Sequence, residues 1–340
     1  MILDVIIPTY NRHLMLRRTL DSLVAADIPT GLEVRVTVVD NNSTDLTRMT
    51  AESYSKKFEH GLNYVFEARQ GRSYALNAGI ASTSGSLVAM VDDDEEIDRS
   101  WYSTIHSVFA GGDVDFIGGP YVPNWGAARP DWLPMNYLGA IGWIDGGAKT
   151  VPFDESYPGI LMGGNAVISR AILDEVGLYN VKLGRNGTRL LAGEDDDMYR
   201  RLLAAGARGF YVPALIIYHY VPPERLLKGY FRKWCFWRGV SAGVIDRERQ
   251  MPVVYFGGIP RYLYGDVVRG LRTVVAGMIK PPSDPSHVFN SELSVWDAVG
   301  FFYGKHFYAA PGSGPPVGAI ASRTDRRPGC KSEPDLPAIQ

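Results

Sequence analysis

Five consecutive carboxylates, Asp92-Asp-Asp-Glu-Glu96, follow the apolar run Leu87 to Val91 with no turn residue between. Carboxylates crowded at the carboxyl end of a strand repel one another unless a cation sits among them. Hard oxygen donors of this kind suit Mg²⁺ or Mn²⁺ better than zinc. Taken alone, an Asp-Asp-Asp run is more often a solvated acidic turn. An EF-hand loop fits poorly, because the sixth-position glycine is missing and a strand leads in. A second acidic cluster, Gly193-Glu-Asp-Asp-Asp197, opens a helical pattern. Acids in a first helical turn complement the macrodipole, which accounts for most of that cluster. At about 100° per residue, however, Met198, Tyr199 and Leu202 fall within about 60° of Asp195. Asp195 thus lies at the centre of the apolar face, with Glu194, Asp196 and Asp197 to its sides or back. An inward carboxylate is costly unless it lines a cleft. Beside a cation cluster it is placed to act as a general base.

The elements that must position these acids read as alternating strands and helices. Leu3 to Ile7 is a strand stopped by Pro8-Thr-Tyr-Asn-Arg12, and Leu16, Leu20, Leu23 and Val24 then recur at helical spacing. Glu33 to Val39 is a second strand ending at Asp40-Asn-Asn-Ser-Thr-Asp45, where Ser43 or Thr44 can cap the next helix. Leu62 to Phe66 is a third, followed by Arg69-Gln-Gly-Arg-Ser-Tyr-Ala-Leu-Asn-Ala-Gly79, a loop entering a helix. The fourth strand carries the five acids. This alternation predicts an α/β protein with a mostly parallel central sheet and helices on both faces. Ligands bind such sheets at the carboxyl ends of strands, which here carry Thr9, Asp40, Arg69 or Arg72, and Asp92 to Asp94. Residues 119–158, rich in Gly, Pro, Trp and Tyr, read as a long functional loop or lid. Its aromatics Tyr121, Trp125, Trp132, Tyr137 and Trp143 offer an acceptor platform or packing. A helix over 170–176 and strands over 209–213 and 215–220 follow.

Composition is that of a folded chain of 340 residues, with 46% hydrophobic and 21% charged residues. A net charge of −2 gives no global pull toward nucleic acid. From Arg225 to Lys280, however, 11 Lys and Arg stand against 3 Asp and Glu, a balance of +8 that leaves −10 for the rest. Two cysteines, Cys235 and Cys330, fit a reducing compartment. The absence of a basic leader or a long apolar span predicts a cytoplasmic protein without a signal peptide or transmembrane helix.

Five segments in matching order resemble the family 2 inverting glycosyltransferases. They are Val5-Ile-Ile-Pro-Thr-Tyr-Asn-Arg12, Val38-Val-Asp-Asn-Asn-Ser-Thr-Asp45, the Arg72-Ser-Tyr-Ala-Leu-Asn-Ala-Gly79 run, Val91-Asp-Asp-Asp94 and Gly193-Glu-Asp-Asp-Asp197. The resemblance spans about residues 1–240. It implies a Rossmann-like glycosyltransferase-A fold, a nucleotide-diphosphate sugar donor, a divalent cation and a hydroxyl-bearing acceptor such as a glycan or glycolipid. By position, Thr9, Tyr10, Asn11 and Arg12 would line the nucleotide pocket, with Asp40 on the base and Arg72 beside it or the diphosphate. Asp92 and Asp93 would approach ribose and metal, and Asp94 would be the main metal ligand, with Asp92 assisting. Gly163, Gly164, Asn165 and Glu194 would border the sugar and acceptor, and Asp195 matches the family's base. His219 ends a strand ahead of Val221-Pro-Pro-Glu-Arg225, an arrangement also seen in some members, and is expected to be a further metal ligand rather than a structural histidine.

Other chemistries lack their signatures. No G-x-G-x-x-G follows the first strand, no G-x-x-x-x-G-K-[ST] occurs, and no Gly-rich basic loop opens the chain. A non-catalytic module that binds sugar nucleotides or glycans is the alternative from another class, and two intact acidic clusters argue against it. The expected organisation is a catalytic domain over 1–222, its nucleotide-binding half over 1–100 and its acceptor half over 101–222. A basic amphipathic helical extension over 223–308 and a disordered tail over 309–340 would follow. In the extension, Leu263, Tyr264, Val267, Val268, Leu271, Val274, Val275, Met278 and Ile279 keep helical spacing beside Arg261, Arg269 and Arg272. Leu227, Tyr230, Phe231 and Trp234 form a similar face. Both suit either an anionic membrane surface or packing on the catalytic domain.

Overall fold

The computed structural model describes residues 1–133, 135–185, 192–248, 250, 252–280 and 285–308. The predicted tail over 309–340, with Cys330, lies outside them. The chain opens β1 (Ile2–Thr9), α1 (His13–Ala25), β2 (Glu33–Asp40), α2 (Thr47–Ser53), β3 (Leu62–Phe66), α3 (Arg72–Ala81) and β4 (Leu87–Met90). From Leu3 to Thr9, β1 is buried on both faces, which is why it reads as an unbroken apolar run rather than an alternation. Leu3, Val5 and Ile7 meet Leu16, Leu20 and Leu23 of α1, while Ile6 joins Ala75, Leu76 and Ile80 of α3 on the opposite face. Val24, in the same helical pattern, faces outward instead.

Beyond β4 come β5 (Glu95–Ile97), α4 (Trp101–Ala110), β6 (Phe116–Gly118), β7 (Tyr121–Trp125), β8 (Val151–Phe153), β9 (Ala166–Ser169), α5 (Arg170–Val176), α6 (Glu194–Ala204), β10 (Gly209–Tyr211) and β11 (Ile217–Val221). The main sheet runs β3-β2-β1-β4-β9-β6-β10-β8, and β5-β11-β7 form a smaller sheet. β3, β2, β1 and β4 are mutually parallel, β9 is antiparallel to β4 and β6, and β8 closes the far edge antiparallel to β10. The register pairs Thr9 with Asp40. The polar residues that end β1, β2 and β4 therefore share one edge of the sheet, the placement the strand–helix alternation predicts.

Two local expectations change. Neither Ser43 nor Thr44 caps α2, which starts at Thr47 with Asp45 Oδ1 accepting its N–H at 3.0 Å. Ser43 Oγ instead accepts the N–H of Asn11, and the Asn11 side chain accepts the N–H of Thr44. These bonds stitch the loops after β1 and β2 together. Nor is 119–158 a free lid, since it supplies β7 and β8 to the two sheets. Its aromatics pack: Trp125 meets Trp143 edge to face, and Trp132 sits against Phe231 and Phe289.

The chain continues into α7 (Lys228–Glu248), α8 (Arg261–Ile279) and α9 (Pro285–His306). Phe231 and Cys235 of α7 are buried with Phe289 and Leu293 of α9, so this face turns inward, only Leu227 remaining well exposed. Gly239 and Gly243 of α7 and Gly300 and Gly304 of α9 bring the two backbones together. A Cβ at any of the four would lie between 1.9 and 2.3 Å from a carbonyl oxygen of the other helix. The α8 stripe divides. Leu263 and Val267 pack toward α9, whereas Val268, Leu271, Val275, Met278 and Ile279 are at least half exposed beside Arg269 and Arg272. Among the described residues no helix is long and apolar enough to cross a membrane.

Candidate active site

A cleft of about 510 Å³ opens at the carboxyl edge of the main sheet. One wall comes from the turn after β1. Thr9 donates from Oγ1 to Asp93 Oδ2 at 2.8 Å, and Arg12 Nη1 reaches Asp93 Oδ1 at 2.9 Å and Asp94 Oδ2 at 3.1 Å. Burial, with Asp94 adding repulsion, pushes the Asp93 carboxyl up to about 6 against the pull of Arg12. Burial also opposes ionisation of Asp94, but His219 when protonated, Arg225 and Arg12 hold it well below the ordinary range. Asp94 is the more strongly held anion of the pair.

The opposite wall is the N-terminus of α6, preceded by Gly193 in the left-handed region at φ 108°. Arg72, at the start of α3, spans from one acidic cluster to the other. Its Nε lies 3.0 Å from Asp92 Oδ1, and its Nη1 lies 3.2 Å from Glu194 Oε1 and 3.1 Å from Asp195 Oδ1. Asp195 faces the cleft, and so do Glu194 and Asp196, which the wheel puts to its sides or back. Glu194 is more buried than Asp195. Burial and the neighbouring Asp195 push its carboxyl up to about 7, against Arg72.

Two glycines make room for carboxylates. A Cβ on Gly163 would stand 2.2 Å from Asp195 Oδ1, and one on Gly164 would stand 2.3 Å from Glu95 Oε1. Glu95 is 1% exposed and accepts the Asp92 N–H at 2.8 Å. Burial, with Asp92 and Asp94 nearby, holds its carboxyl well above the ordinary range. Asn165 is fully buried and does not line the cleft, accepting from Trp101 Nε1 and donating to Leu215 O. Asp40 is likewise buried, accepting from Ser43 N and Tyr64 Oη, while its neighbour Asn41 lines the cleft. Tyr10 is exposed on the rim, and Asn11 sits outside the lining.

Among the described residues no three His, Cys, Asp or Glu side chains are grouped to hold a metal ion. Two donors nevertheless stand together: Asp94 Oδ1 and His219 Nε2 are 3.7 Å apart. Burial keeps His219 below its ordinary value, which favours the neutral imidazole that binds metals. Two protein donors match Mg²⁺-type sites completed by substrate phosphates, so these residues fit a divalent cation. Sequence reasoning missed Glu95 and Arg225 on this side of the site. It also missed the role of Trp234, which α7 delivers to the cleft. The only sequence signal for Arg225 is its place in the Pro-Pro-Glu-Arg segment after His219.

The sequence pattern of glycosyl transferase family 2 matches residues 4–177, just over half of the chain. The chain belongs to this family. Glycosyltransferase AglE of Haloferax volcanii is 31% identical over 288 residues, which cover 81% of this chain and 88% of the relative. Glucosyl-dolichyl phosphate glucuronosyltransferase of the same organism is 25% identical over 249 residues, covering 72% and 77%. Among solved structures, a mannosyltransferase from Pyrobaculum calidifontis in complex with GDP-Man and Mn²⁺ superposes with a TM-score of 0.57 at 17% identity. It covers 89% of this chain and 86% of that one, and shows the glycosyltransferase-A fold. As a family 2 glycosyltransferase the chain is an enzyme of glycan or glycolipid synthesis. Each of the five family 2 segments lends the cleft a residue: Thr9, Asn41, Arg72, Asp93 and Asp195.

Proposed function

We propose that this enzyme transfers a sugar from a nucleotide-diphosphate donor to an acceptor hydroxyl with inversion, with Asp195 as general base and Mg²⁺ or Mn²⁺ as cofactor. The observation that carries the proposal is the joining of both acidic clusters across one cleft by Arg72. Thr9, Tyr10 and Arg12, with Asn41 lining beside the buried Asp40, form the nucleotide side. Asp94, His219 and Asp92 would hold the cation, which would supply positive charge to offset the negative charge building on a departing diphosphate. Arg72 fixes Asp195 through Oδ1, leaving Oδ2 for the acceptor hydroxyl. As the acceptor oxygen bonds to the anomeric carbon, the bond to the diphosphate oxygen breaks and takes its electron pair with it. The hydroxyl proton passes to Asp195. A single displacement from the opposite side inverts the anomeric centre and needs no enzyme nucleophile. Residues 1–222 form the catalytic region of this scheme and 223–308 its helical extension.

The acceptor side of the cleft is apolar, with Ile144, Ile160, Met162 and Trp234. The exposed apolar stripe of α8 with its arginines suits the interface of an anionic membrane. A lipid-linked acceptor joins the two features, and the relative named for a dolichyl phosphate substrate supports it. Asp195→Asn tests the base. The amide keeps shape but takes no proton, so turnover should fall by about 10²–10⁴ with donor binding retained, whereas Asp94→Asn should weaken cation-dependent donor binding as well. Wild-type transfer by Asp195→Asn would overturn the assignment.

A further inference from the structure

One guanidinium holds both candidate cation donors. Arg225, 7% exposed, lies in the turn Pro223–Leu226 between β11 and α7. Its Nη2 donates to Asp94 Oδ2 at 2.9 Å, and its Nη1 stands 3.0 Å from His219 Nε2. Arginine has donors only, so Nε2 presents its lone pair to Arg225 and the ring proton sits on Nδ1. Among the described residues Nδ1 finds no acceptor. A Cβ on Gly142 would lie 2.6 Å from it, so the ring is wedged in one orientation. The lone pair that a metal would take is therefore the one Arg225 occupies, and an ion bonding Nε2 must move that guanidinium away.

We propose that Arg225 is the resident counter-ion of the cation site: it neutralises Asp94 and occupies His219 in the cation-free enzyme, and yields both when a divalent ion loads. This rests on the assignment of Asp94 and His219 as cation ligands. Without such a group, Asp94, its side chain mostly buried, would keep Arg12 in contact and Arg185 farther off to offset its charge, a more costly state for a buried carboxylate. The exchange also has a mechanical side. Arg225 leads directly into α7, the helix that brings Trp234 to the cleft. Loading of the cation is thereby linked to the element that shapes the acceptor side.

The test uses the full-length protein titrated with Mn²⁺ alone, free Mn²⁺ being read by electron paramagnetic resonance. Taking one positive charge from beside the site should tighten Mn²⁺ binding by Arg225→Gln roughly tenfold or more. Arg225→Lys keeps the charge but cannot fork across two partners, so it should bind more tightly than wild type but less tightly than Arg225→Gln. It carries the test if the glutamine variant does not fold. Affinity in these variants equal to or weaker than wild type overturns the proposal. Loss of binding in Asp94→Asn alongside unchanged Arg225 variants refutes the counter-ion role alone. Absence of Mn²⁺ binding in wild type and variants alike removes the cation site and this inference with it.

Discussion

Replacing Gly163 by alanine perturbs the proposed base with a single methyl group. The added Cβ would stand 2.2 Å from Asp195 Oδ1 and 3.0 Å from Arg72 Nη2. An ordinary carbon–oxygen contact is roughly 3.3 Å, so the carboxylate must retreat by about 1 Å. The three atoms met, Asp195 Oδ1 and Cγ and Arg72 Nη2, all belong to side-chain ends, and Asp195 borders open cleft, so the retreat needs no backbone shift and stability should change by less than about 1 kcal/mol. Catalysis is less forgiving, because about 1 Å of misplacement can cost 10²-fold. The expected result is a fall in turnover of about 10²-fold with a donor KM close to wild type, measured by released nucleotide under saturating acceptor. Gly164→Ala is the contrast. Its methyl meets the Glu95 carboxyl at three atoms, the farthest 2.8 Å away, in a pocket with no exit. The loss there should appear as instability of about 1–3 kcal/mol. A Gly163→Ala enzyme with wild-type turnover and normal stability would refute the placement of Asp195 at the reacting centre.

Glu194 should make stability pH-dependent. Its folded value of about 7 lies above the ordinary 4.5, so its contribution is full below pH 4.5 and is lost as pH rises through 7. Relative to Glu194→Gln, the wild type should lose up to about 3 kcal/mol over that window in urea unfolding, and a gap that does not vary with pH would exclude the effect. On the membrane side, full-length protein should float with anionic vesicles at low ionic strength, and Arg269→Glu with Arg272→Glu should abolish flotation. Wild-type protein that stays at the bottom of the gradient removes the interfacial role of α8.

The parallel half of the fold was legible because β1 and β4 are apolar runs buried on both faces and β2 is fully buried from Val36 onward, each leading into a residue that chemistry could use. The place of Asp195 on the cleft was legible from helical phase, but phase did not show that Glu194 and Asp196 line the cleft with it. Glu95 was not, because in sequence it is one more acid in a run. Its burial depends on β5 pairing with β11 and on Gly164 arriving from far along the chain. Asn165 sits in the expected segment, yet its direction is set by Trp101 and Leu215, neither of them a neighbour in sequence. The aromatics of 121–143 posed the same difficulty. Composition shows that they want contact, and partners distant in sequence, Phe231 of α7 and Phe289 of α9 for Trp132 and the main core for Tyr121, decide that they receive it from protein.

The glycine-lined joint of α7 and α9 has a thermodynamic character of its own. Most of a globular core is held by water's exclusion of apolar surface, which fades on cooling and offers no advantage in hydrocarbon, since lipid tails are as apolar as the side chains themselves. Backbones in direct contact cohere mainly through dispersion, which depends far less on the solvent. The pair should therefore stay closed in the cold and beside lipid alike, giving α8 a fixed base to rest on and keeping Trp234 at its station in the cleft whichever medium surrounds the helices.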